Sequence, residues 1–107
     1  MELDQYRVVL VNLDPTIGSE IKKTRSCVII SPDELNQNIR TITIAPMTTK
    51  SHHYPTRASV KHQNKIGWVV LDQIRTIDKK RIIKSYKRLS TSEIIEIKRI
   101  LKKTFID

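Results

Sequence analysis

The chain has 107 residues, of which 38% are hydrophobic and 29% charged. That is the composition of a globular domain and excludes a disordered tail, and the length allows a core without disulfide or metal staples. Twenty Lys and Arg against eleven Asp and Glu give a formal charge of +9, which favours polyanionic partners, nucleic acid foremost; a plain soluble domain from a lysine-rich proteome is the alternative. No apolar run reaches the length of a membrane span, and Met1-Glu2-Leu3-Asp4 lacks the features of a signal peptide.

In chain order, Gln5 to Leu13 ("QYRVVLVNL") reads as a strand buried on much of both faces, and Arg25 to Ser31 as a second. Between them lies a polar segment of ten or so residues, more than a hairpin needs. Cys27, the only cysteine, sits in an apolar run, where it reads as a small buried hydrophobe; with no partner for a disulfide, a reducing cytoplasm is expected. "SPDELNQN" carries a capping-box pattern, with Ser31 as cap, Pro32 at the first helical position and Glu34 three after the cap. "RTITIAPM" alternates as a third strand stopped near Pro46, and 48–56 is a polar loop. "RASVKH", a "QNK" turn and "IGWVVLD" predict two more strands, and "KRIIKSYKRL" a helical turn and a last strand. Ser90 and Glu93 make a second capping box opening a helix whose apolar stripe is Ile94, Ile97, Leu101 and Phe105. The expectation is one domain, residues 1–107, mainly β: five or six short antiparallel strands rolled into a small barrel, with one packed C-terminal α-helix.

Polar groups collect where strands end, at 14–25, 48–57 and 72–78. Each island alone reads as a solvated turn, but loops on a rigid sheet are also where sites are built. His52, His53 and His62 lack companion cysteines, two glycines in the chain preclude a Gly-rich phosphate loop, and no nucleophilic triad signature appears; no metal or cofactor is expected. What remains is arginine, threonine and serine with a few carboxylates, a set suited to phosphate. A phosphodiester gains negative charge on the way to a pentacovalent transition state, which fixed donors stabilise. RNA brings its own nucleophile, the 2′-hydroxyl.

"VNLDPTIGSE", "TRSCVIISPDELN", "TITIAPMTTK", "YPTR" and "VVLDQIRTIDKKRI" resemble, in order and spacing, the signatures of the MazF/PemK toxins, over about Tyr6 to Leu89. The resemblance implies an SH3-like antiparallel barrel that forms a homodimer. It implies a toxin of a toxin–antitoxin pair that cuts single-stranded RNA, chiefly mRNA, without metal, leaving a 2′,3′-cyclic phosphate and a 5′-hydroxyl. An acidic, MazE-like antitoxin would silence it.

Carried over residue by residue, Arg25 matches the family's catalytic arginine and Thr48 its catalytic threonine or serine. Arg25 would hold the scissile phosphate; proton transfer by it is chemically awkward, because arginine scarcely deprotonates at neutral pH. Asp72, Gln73, Arg75 and Thr76 match a "DQxRT" element that lines the groove or buttresses the dimer. Glu20 matches an often acidic position of a mobile loop, so the long polar segment would be a lid, based at Pro15 and hinged near Gly18, with Lys22 and Lys23 adding backbone charge. Arg57 is a candidate phosphate contact, Thr49 a candidate RNA-groove residue, and Tyr54 a candidate base-stacking surface. Trp68, alternating with Ile66 and Val70, reads as core or dimer packing. Three departures stand out: Ser26 replaces the usual proline after the arginine, and Ser19 and Val70 occupy places where one branch has a histidine and an arginine. A mechanism built on that pair, with Asp72 as base, does not transfer; the Arg25/Thr48 version does.

Three other functions fit the same residues in part. A CcdB-like gyrase poison would share the barrel without the Arg25, Thr48 and "DQIRT" set. A non-catalytic nucleic-acid-binding barrel would lose binding, not chemistry, on Arg25→Ala. A degenerate toxin would still bind its antitoxin.

Overall fold

The computed structural model describes residues 1–13, 24–50 and 54–106. Within them, seven strands form one curled antiparallel sheet, an open half-barrel closed on one side by a helix. The strands are β1 (Arg7–Asn12), β2 (Thr24–Ile29), β3 (Thr41–Thr48), β4 (Arg57–His62), β5 (Lys65–Val70), β6 (Arg75–Asp78) and β7 (Ile82–Arg88). A short helix α1 (Asp33–Asn38) links β2 to β3, a 3₁₀ turn (Lys79–Arg81) precedes β7, and α2 (Thr91–Phe105) ends the chain. The sheet order is β4-β5-β3-β2-β1-β7, with β6 on β3.

β1 does carry apolar residues on both faces. Val8 enters a cluster with Val28, Ala45, Val69 and Leu71, which Ile94, Ile97 and Ile100 of α2 cover; Val9 and Val11 enter a second with Cys27, Ile29, Ile42 and Ile44. Cys27 is fully buried, and burial pushes its thiol up to about 12 against the opposing fields of Arg25 and Arg75, so it packs as a hydrophobe.

Several expectations need correction. A seventh strand, β6, lies in what reads as a polar island: only Ile77 of its four residues is buried, too little for a period to register. β3 does not stop at Pro46 but runs on to Thr48. Its outer edge pairs with β6 as far as Ile44 and with β5 from Met47, so Pro46, lacking an N–H, falls where the edge changes partner. Ser31 does not cap α1. Its hydroxyl donates to Asn36 Oδ1 (2.5 Å) and accepts from Thr43 N (3.1 Å), and Pro32 holds the cap position with no side-chain bond. Ser90 does cap α2, in a full capping box with Glu93. Phe105 is exposed, at 57%, and Ile100 takes its place in the buried stripe.

Candidate functional site

Arg25 and Thr48 arrive at one place through strand register. β2 and β3 pair Cys27 with Pro46; continued by two residues, that register sets Arg25 across from Thr48 on the same face. Thr48 pairs in turn with Trp68, and Trp68 with Ser59, giving a transverse row over four strands. Trp68 is half-buried in this row beside Thr48, while its strand neighbour Ile66 is exposed.

Arg25, Thr48 and Thr49 line an open groove of about 440 Å³, together with Lys50, Lys65 and Gly67. Gly67 faces the Thr48 carbonyl oxygen, which a Cβ there would meet at contact distance, 3.4 Å. Arg25 is exposed and makes no ion pair among the described residues, leaving its planar fork of donors available. The Thr48 hydroxyl accepts from Lys50 N (3.2 Å), which keeps its own proton free to donate. Sequence reasoning missed Lys50 and Lys65. Lys65 follows the tight Gln63–Asn64 turn, whose two positive φ angles (51° and 62°) fold β5 back along β4; the "QNK" turn was the available signal.

The remaining candidates stand elsewhere. Tyr54 is 52% exposed and carries the Arg57 guanidinium 4.7 Å above its ring. Asp72 accepts a hydrogen bond from Thr56 Oγ1 (3.0 Å), and Gln73 N donates to Val70 O in the adjoining turn (3.2 Å). Arg75 pairs with Ile44 and Thr76 with Thr43, their two threonine hydroxyls 3.2 Å apart. None of these six residues lines the Arg25–Thr48 groove. Glu20, Lys22 and Lys23, the expected lid with its base at Pro15 and its hinge near Gly18, and His52 and His53 lie outside the described residues. Among the described residues no group of three or more His, Cys, Asp or Glu could hold a metal ion, and no helix is long and apolar enough to cross a membrane.

The groove can therefore bring a guanidinium, hydroxyls and ammonium groups to a phosphodiester. Comparison with known proteins points the same way. Residues 4–105 match the family described as "PemK-like, MazF-like toxin of type II toxin-antitoxin system". The endoribonuclease MazF of Staphylococcus epidermidis is 34% identical over 96 residues, covering 84% of this chain and 80% of that protein. A MazE–MazF crystal structure from Deinococcus radiodurans superposes with a TM-score of 0.82 at 22% identity, covering 94% of this chain and 93% of that one. A mycobacterial endoribonuclease in complex with its cognate antitoxin gives 0.80 at 17% identity, covering 95% and 93%. Those two structures share the fold.

Proposed function

Because the chain belongs to the PemK-like, MazF-like toxins of type II toxin–antitoxin systems, we propose that it is a toxin endoribonuclease whose chemistry takes place in the Arg25–Thr48 groove. The substrate is single-stranded RNA, chiefly mRNA, in the cytoplasm. The 2′-hydroxyl attacks the adjacent phosphorus, losing its proton to a base; the P–O5′ bond breaks, and the departing oxygen takes up a proton. The products are a 2′,3′-cyclic phosphate and a 5′-hydroxyl. Arg25 holds the scissile phosphate with two N–H donors and neutralises the charge that grows on it, while the Thr48 hydroxyl donates to a non-bridging oxygen. No step needs a metal. Tyr54, Arg57, Asp72, Gln73, Arg75 and Thr76 contact the strand beyond the scissile phosphate or buttress a homodimer. An acidic antitoxin competes for the same basic surface.

The observation that supports this reading best is the shared groove: an arginine with no ion pair among the described residues and a threonine from the adjacent strand, flanked by two lysines. The test is cleavage of a long single-stranded transcript in EDTA, with mapping of both ends, for wild type beside Arg25→Ala and Thr48→Ala. Discrete cuts with cyclic-phosphate ends are expected. Loss of an oxyanion-type donor costs about 10²–10³ in rate, so Arg25→Ala should fall by that much or more and Thr48→Ala by somewhat less. Intact RNA with folded wild-type protein would refute the enzyme, and undiminished cutting by Arg25→Ala would refute the site.

A further inference from the structure

A second, larger cleft of about 760 Å³ lies across the β4–β5 hairpin from the Arg25–Thr48 groove. The two are neighbours, because His62 and Gln63 line both. Resting on the ribonuclease reading, we propose that this cleft seats backbone phosphates of the same RNA strand, flanking the cleavage site after the strand crosses the His62–Gln63 ridge.

Charge and geometry support it. Four cations line the cleft (Arg7, Lys61, Lys87 and Arg88) against one carboxylate, Glu93. Arg7 is spent on Glu2 and Asp4, and Arg88 stands 3.8 Å from Asp4. Lys61 and Lys87 are exposed and enter no ion pair among the described residues. Glu93 makes no ion pair with them among the described residues, its carboxylate accepting from Lys61 N (2.7 Å), Ser90 N (2.9 Å) and Ser90 Oγ (2.9 Å), so its single negative charge stands against the two ammonium groups. The ridge itself is braced. The His62 ring stands edge-on against the Tyr86 ring at 4.9 Å, and Lys84 Nζ lies 5.1 Å from the centre of the Tyr86 ring. A strand leaving the groove thus meets, over a two-residue ridge, a wide cleft in which two ammonium groups without an ion pair among the described residues outnumber the one carboxylate. Lys65, on the groove side of the hairpin, extends the positive path.

The test is Lys61→Gln/Lys87→Gln, which leaves the Lys61 backbone bond to Glu93 in place. Binding is measured by fluorescence anisotropy with non-cleavable 2′-O-methyl RNA in two lengths: one just covering the groove, the other extended at both ends. Wild type should bind the longer strand more tightly. The variant should lose about tenfold in affinity for the longer strand, with its salt slope reduced by about 1.4, the value for two single-strand phosphate contacts; affinity for the short strand should stay as it was. Equal weakening for both lengths, or an unchanged slope, would overturn the proposal. So would intact RNA binding together with lost binding of an acidic antitoxin peptide, which would assign the cleft to that partner. Binding without any cleavage by wild type would instead count against the ribonuclease reading and leave this measurement standing.

Discussion

Arg7 and Arg25 sit on neighbouring strands of one sheet and have opposite surroundings. Arg7, at the start of β1, donates through Nε to Asp4, through Nη2 to Glu2 (2.6 Å) and through Nη1 to the Tyr86 carbonyl (2.7 Å), with its side chain only 17% exposed. It ties the N-terminal segment to β7. Arg25, at the start of β2, is exposed in a groove and ion-paired with nothing among the described residues. A guanidinium whose donors are satisfied within the fold stabilises it. One whose donors are left open on a rigid strand is available to a phosphate. Residue type is the same in both places; what differs is which carboxylates and carbonyls of the described residues stand within reach.

The contrast is broken most sharply by exchanging charge for shape. Arg25→Lys keeps the charge but loses the planar two-donor fork, and RNA cleavage should still fall by about 10²-fold or more, with melting temperature unchanged. Recovery of wild-type turnover by lysine would reduce Arg25 to a point charge. Arg7→Ala should show the reverse character. Leaving the Tyr86 carbonyl and Asp4 without their donor should lower stability by about 2 kcal/mol, read by urea denaturation; a stability equal to wild type would make the Arg7 cluster ornamental.

The smallest effect concerns Glu93. Burial alone would raise its carboxyl, but the hydrogen bonds from Lys61 N and Ser90 outweigh burial and hold it below the ordinary 4.5. A depressed folded value means that its stabilisation is fully present above pH 4.5 and is lost as pH falls through the folded value. Glu93→Gln keeps a side chain that can complete a capping box but removes the titration. Its melting temperature should therefore decline less than that of wild type between about pH 5 and pH 3. Parallel curves would show that Glu93 contributes nothing to acid lability.

Much of this architecture is legible locally, and the exceptions share a cause. Ser90 and Glu93 form their capping box because both partners lie within one turn and nothing distant competes. Ser31 and Glu34 have the same spacing, but Ser31 is buried, and Asn36 and Thr43 take its hydroxyl. Leu101 follows the expected stripe of α2, whereas Phe105 lies exposed in its last turn. Of the site residues, Arg25 and Thr48 were readable from motifs and are brought together by register. Lys50, Lys65 and the His62–Gln63 ridge were not, since their relevance depends on where a hairpin folds.

The sequence by itself determined the strands with strong alternation, the buried cysteine, the capped terminal helix, the basic charge and the family, because each is written in short-range pattern or residue order. Only the tertiary structure decided that Arg25 and Thr48 share a groove with two lysines, that Arg7 is structural, and that a second basic cleft adjoins the first. Those facts depend on which distant strands pair and on which polar groups find each other, and pairing energy is settled between segments, not within them.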